Sequence, residues 1–117
     1  MIRKKWLAVV ALFGGSLCAQ NPIVPPGVFA ADPEGHQWKD GRLYLYVSRD
    51  ESPDFYCSWR YDLLSTDDLK NWTIHRDAFA SKGPNDEVPY SDGELYASDA
   101  AYKDGKYYLY PLSVAAH

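Results

Sequence analysis

Two aspartates hold comparable places in this chain. Asp32 lies in an Ala-Asp-Pro string just ahead of WKDGRLYLY, at Trp38 to Tyr46. Asp99 lies in YASDAAY, on the stretch leading into YKDGKYYLY at Tyr102 to Tyr110. Two carboxylates brought to one pocket suit general acid–base chemistry, and cleavage of a glycosidic bond is a reaction that uses such a pair. Each residue also has a plain structural use. An aspartate before a proline suits a turn, and Asp99 suits a hydrogen bond at a strand end. His36 falls on an expected strand, where a structural role fits it. No spacing of Cys and His suggests a zinc site, and no cofactor is expected.

The elements that must carry these aspartates are repeated. Aligned without gaps, the two nonapeptides agree at six of nine positions and stand 64 residues apart. Asp-Gly is a strong hairpin signal because both residues tolerate positive φ. The expected strands of the first copy are HQWK and RLYLYVS, and the ADPEG before them reads as a non-helical lead-in. In RLYLYVS, Leu43, Leu45 and Val47 point one way, Tyr44 and Tyr46 the other. Neither face is polar, so the strand is expected to be covered on both. The second copy behaves alike through Tyr107 to Leu112.

Between the copies, WRYDLLS (Trp59 to Ser65) and WTIHRDAF (Trp72 to Phe79) read as two more strands, joined by the polar turn TDDLKNW with Trp72 as its plug. KGPNDEVPYSDGE, Lys82 to Glu94, reads as a long polar loop. One repeat thus holds about four strands, and four-stranded antiparallel sheets repeated about an axis make a β-propeller. The fold class is all-β. On this pattern the chain carries one blade and the start of a second, the front end of a longer protein or a truncated product, because a ring needs typically 4–8 blades. A β-sandwich with two similar hairpins is the competing architecture.

Export frames the composition. MIRKK is basic, WLAVVALFGGSL is apolar, and LCAQ ends in a small residue, the layout of a signal peptide over residues 1–19. Lipidation at Cys18 is the competing reading. Removing the leader takes away Arg3, Lys4 and Lys5, so the net charge of −4 becomes −7. An acidic product of this kind argues against nucleic acid or an anionic membrane as partner. No membrane span is expected, since the apolar run of twelve falls short of the roughly 20 residues a spanning helix needs. Cleavage after Ala19 also leaves Cys57 without a partner for an internal disulfide. The sequon Asn71-Trp72-Thr73 is discounted, because Trp72 reads as buried and the leader as bacterial. The 4 Trp, 10 Tyr and 4 Phe could pack between sheets or stack on sugars.

The strings ADP…WKDGRLYLYVSRD, DLLSTDDLKNWTIH and LYASDAAYKDGKYYLY together resemble the start of glycoside hydrolase family 43, from about Asn21 to Leu112. The resemblance implies a five-bladed β-propeller, here incomplete, in a secreted or periplasmic enzyme. The implied substrate is an arabinose- or xylose-containing oligo- or polysaccharide of plant origin. It implies Asp32 as the general base that activates water for inversion. It implies Asp99 as the carboxylate that orients the general acid and tunes its pKa, although Ser98 stands where the family motif has proline. Asp50 suits a bond to a sugar hydroxyl or a solvated loop acid, and Tyr96 suits stacking on the sugar beside the pocket or packing between blades. The family's acid is a glutamate of a later blade, which neither Glu87 nor Glu94 matches. A non-catalytic carbohydrate-binding propeller and an inactive truncated gene product are the alternatives.

Overall fold

The computed structural model describes residues 24, 26–51, 54, 58–89 and 91–113. The expected leader, Cys18 and Cys57 lie outside them. The described chain is all-β, with six strands and no helix among the described residues. They are β1 (Ala30–Gln37), β2 (Leu43–Arg49), β3 (Arg60–Thr66), β4 (Thr73–Ala80), β5 (Leu95–Lys103) and β6 (Lys106–Ser113). The first four form an antiparallel sheet in the order β1-β2-β3-β4, and β5 and β6 form an antiparallel hairpin. The four-stranded unit expected between the two sequence copies is therefore present. The long loop also falls as expected, between β4 and β5.

Three details differ from the sequence reading. First, the ADPEG lead-in is part of β1. The ladder accommodates Pro33, which has no N–H to pair, through a bulge: Ala31 pairs with Ser48, but Glu34 pairs with Tyr46. The same irregularity recurs in β5 between Leu95 and Ser98, each position 64 residues on from its counterpart. The repeat thus extends beyond the nonapeptides to the bulges that precede them.

Second, the two Asp-Gly turns differ. In the second, Asp104 and Gly105 both have positive φ, 51° and 81°, between the paired Lys103 and Lys106. That is the type I′ geometry Asp-Gly favours. In the first, only Gly41 is left-handed, with φ 80°. The Gly41 amide donates to the Trp38 carbonyl (3.0 Å) and the Trp38 amide to that of Arg42 (3.3 Å), so three residues form the loop. The Asp40 side chain is engaged within this loop. It accepts from the Arg42 amide at 3.1 Å and from the Tyr44 hydroxyl at 2.6 Å, and Asp40 does not have positive φ. The extra loop residue changes the register by one. Tyr46 lies opposite Glu34, whereas its counterpart Tyr110 lies opposite Asp99.

Third, β6 is not covered on both faces. Tyr107, Tyr108, Tyr110 and Leu112 are 42–57% exposed. Unlike β2, which has β3 beside it, β6 pairs only with β5 among the described residues.

Paired residues in an antiparallel ladder point to the same face. Tyr44, Tyr46 and Ser48 therefore share a face with Tyr61 and His36. This face meets the β5–β6 hairpin. The buried Tyr61 hydroxyl accepts from the Leu112 amide at 3.2 Å and lies 3.4 Å from the Ala97 carbonyl. Trp38 meets the edge of Tyr107 at 5.2 Å, and the Leu95 amide donates to the Ser58 carbonyl at 2.8 Å. Val47, Tyr61, Leu64, Leu95 and Ala100 are buried. Full burial of a side chain such as Leu64 is worth about 1.5–3 kcal/mol.

The opposite face of the first sheet carries an ionic cluster. Asp62, 1% exposed, bonds Arg49 through both carboxylate oxygens and Arg76 at 2.7 Å. A bulge in β4 turns the Asp77 amide onto Asp62 at 3.0 Å, while its carboxylate meets Arg49 at 2.8 Å. Burial pushes the Asp62 carboxyl up, but the Arg49 bond, the Asp77 amide and the Arg76 bond outweigh it and hold it below its ordinary value.

Candidate active site

The candidate carboxylates lie on β1 and β5, which pack side by side. Asp32 occupies the β1 bulge with φ 47° and is exposed. Bulges re-aim side chains and recur next to active sites. A left-handed residue that is not glycine costs roughly 1–2 kcal/mol, and aspartate is among the residues that tolerate it. Asp32 also lies within electrostatic reach of Tyr61. Burial pushes the Tyr61 phenol up to about 12, against a lowering bond from the Leu112 backbone, and the Asp32 charge adds to the rise. Tyr96 holds the matching bulge position of β5 and is half-buried.

Asp50 follows β2 at the same end of the ladder as Asp32. Its amide donates to the Phe29 carbonyl at 3.4 Å, one step beyond the Ala30–Arg49 pair. One carboxylate oxygen, Oδ1, is buried without a hydrogen-bond partner among the described residues.

Asp99 sits farther along the seam. Its side chain is exposed, and Oδ1 lies 3.0 Å from His36 Nε2 and accepts from the Ala100 amide at 2.6 Å. The His36 bond and then the Ala100 amide hold the Asp99 carboxyl below its ordinary value of 3.8. Glu34 Oε1 approaches the same His36 nitrogen at 3.6 Å. Asp32 and Asp99 are not hydrogen-bonded to each other. Asp32 and Asp50 lie at the same end of the β1–β2 ladder, whereas Asp99 meets His36 and Glu34 across the seam.

The sequence reading gave His36 a structural role and missed that it reaches a carboxylate on the neighbouring sheet. The available signal was alternation. His36 and Trp38 share a strand face, and that face is the one turned toward the second copy. The donor atoms of Glu34, His36 and Asp99 lie within 4.8 Å of one another, so these three are the described residues that could hold a cation. The short His36–Asp99 contact is already satisfied as a hydrogen bond.

No protein-family profile matches the chain. Two curated proteins are similar to it. A "Xylosidase/arabinosidase" of Bacteroides ovatus is 32% identical over 93 residues, covering 73% of this chain and 28% of that protein. "Xylosidase/arabinosidase 43A" of Humicola insolens is 35% identical over 91 residues, covering 71% of this chain and 27% of that protein. The chain spans about a quarter of the length of these relatives.

Proposed function

We propose that this chain supplies part of the active site of an exported glycosidase, of the family 43 type, acting on arabinose- or xylose-containing polysaccharides. The placement of Asp32 and Asp99 carries the reading. Two exposed carboxylates stand on adjacent strands of successive repeats, and the names of the two relatives supply the chemistry. In this reading β1 and β5 are the innermost strands of the first two blades of a five-bladed propeller.

Asp32 is the general base. It takes a proton from a water that attacks the anomeric carbon, and the sugar is released with inversion. Asp50 accepts from a sugar hydroxyl, and Tyr96 offers a ring to the sugar face. Asp99 orients the general acid and, as an anion, raises its pKa. That acid is a glutamate from the part of the protein corresponding to the three quarters of the relatives this chain does not span. The leader directs the protein to the periplasm or the exterior.

The test is hydrolysis of arabinoxylan and of aryl arabinofuranosides and xylosides by the natively exported protein. Asp32→Asn is expected to lower kcat about 10²–10⁴-fold, the usual weight of a general base, with an unchanged circular dichroism spectrum. Normal turnover by that variant would sink the base assignment. Sugar binding without turnover in the wild type would favour the carbohydrate-binding alternative.

A further inference from the structure

We propose that His36 is a positioning residue for Asp99: its imidazole draws the Asp99 carboxylate into the seam between β1 and β5 and holds it in one orientation. The inference rests on the reading of Asp99 as an active-site carboxylate, and its test separates the two.

The imidazole is held on two sides. It stacks on the Trp38 indole at 4.7 Å with the planes 4° apart, and it meets Tyr46 at 6.1 Å in an edge-on contact. Trp38 is fixed in turn, since its Nε1–H donates to the Tyr46 hydroxyl at 3.2 Å. A ring so confined presents Nε2 in one direction, where Asp99 Oδ1 lies at 3.0 Å. The same oxygen accepts from the Ala100 amide, so two donors converge on it and the carboxylate cannot rotate without losing both. The other oxygen, Oδ2, is left for work.

The groups facing the imidazole come from three elements. Glu34 faces it from β1 at 3.6 Å, Tyr46 from β2, and Asp99 from β5. The neighbouring cation, Lys39, is engaged elsewhere, on the Tyr102 hydroxyl at 3.1 Å. Glu34 competes for the same proton at longer range, so Asp99 is the preferred acceptor. None of these contacts is needed to close either ladder. Tyr61 and Ser58 already join the two sheets.

The experiment uses the natively exported protein with two variants. His36→Phe keeps a flat ring against Trp38 and removes the N–H, and His36→Gln restores a donor. The Asp99 carboxyl carbon is titrated by NMR, and kcat and KM are measured across pH on an aryl glycoside. In His36→Phe the Asp99 midpoint is expected to rise, because the donor that favours the carboxylate is gone. In the same variant kcat should fall about ten- to a hundredfold with KM little changed, because Asp99 is no longer held in one orientation. His36→Gln should recover most of each effect.

A folded His36→Phe protein with an unmoved Asp99 midpoint overturns the inference and leaves the glycosidase reading intact. A moved midpoint in a wild-type protein that hydrolyses no glycoside sinks that reading and leaves the His36–Asp99 coupling standing. If His36→Phe does not fold, Asp99→Ala, which removes the acceptor, gives the same information from the partner. The His36 Nε2 proton resonance should lose its downfield, hydrogen-bonded position, and an unmoved resonance would overturn the proposal.

Discussion

At the scale of single residues, Asp62 is the most exacting side chain in the first sheet. It is 1% exposed and its partners, Arg49 and Arg76, come from the strands on either side. Asp62→Ala would leave Arg49, only 14% exposed, without its main partner. A loss of about 1.5–3 kcal/mol is expected in urea denaturation, the weight of hydrogen bonds to a charged group, since Asp77 still pairs with Arg49. The pH dependence has a definite sign. The folded-state value of Asp62 is depressed below the ordinary 3.8, so its contribution is present in full well above that value. It is lost as pH falls from there through the folded value. The wild type should therefore lose more stability between pH 6 and pH 3 than Asp62→Asn does. Trp72 gives the opposite kind of prediction. Its indole N–H is buried with no acceptor among the described residues. Trp72→Phe deletes an unsatisfied donor and should change the melting temperature little, or raise it.

At the scale of elements, the hairpins were legible because their turn residues and apolar alternation are local signals. The bulges were not, since a bulge is defined by a partner strand that the sequence does not display beside it. Pro33 hinted at the first, but nothing in Tyr96-Ala97 announces the second. The choice between turn types was hidden for a similar reason. Lys-Asp-Gly is written twice, each time with a tyrosine four residues beyond the aspartate, yet the two copies turn differently, and only the second takes the local Asp-Gly preference. The glycines accordingly carry weight. Gly105→Ala places a Cβ on a residue with φ 81° and should cost about 1–2 kcal/mol, read as a lowered thermal midpoint. The candidate site was half legible. Asp32, Asp50, Tyr96 and Asp99 could be named from motif strings, but the His36–Asp99 contact spans 63 positions and depends on how two sheets face each other.

At the scale of the whole molecule, the outstanding surface is the β5–β6 hairpin. Tyr108 and Tyr110 share its outer face, Leu112 follows them, and the backbone edge of β6 pairs with no strand among the described residues. An exposed apolar strand at a sheet edge invites pairing with another chain. Protein of this 117-residue sequence should therefore self-associate as its concentration rises, seen as a growing weight-average mass in sedimentation. Tyr110→Lys together with Leu112→Lys should suppress that growth, since charges on an edge oppose pairing. Invariant mass across a hundredfold concentration range would remove edge pairing as a property of this surface.

The turn at Asp104-Gly105 reaches farther than its size suggests. Being one residue shorter than its counterpart at Lys39-Asp40-Gly41, it sets Asp99 opposite Tyr110, the rung that Glu34 takes opposite Tyr46. The hairpin behaves like a gear with the turn as its index tooth. If that tip took the three-residue form of its counterpart with no residue added, β5 would slip by a single notch and carry Ser98 to the rung where Asp99 now stands. The chemistry of the seam is thus set from the far end of the strand, by a loop that touches none of its carboxylates. The form of the turn, and not only its sequence, decides which residue stands on that rung, since Lys-Asp-Gly is written in both copies.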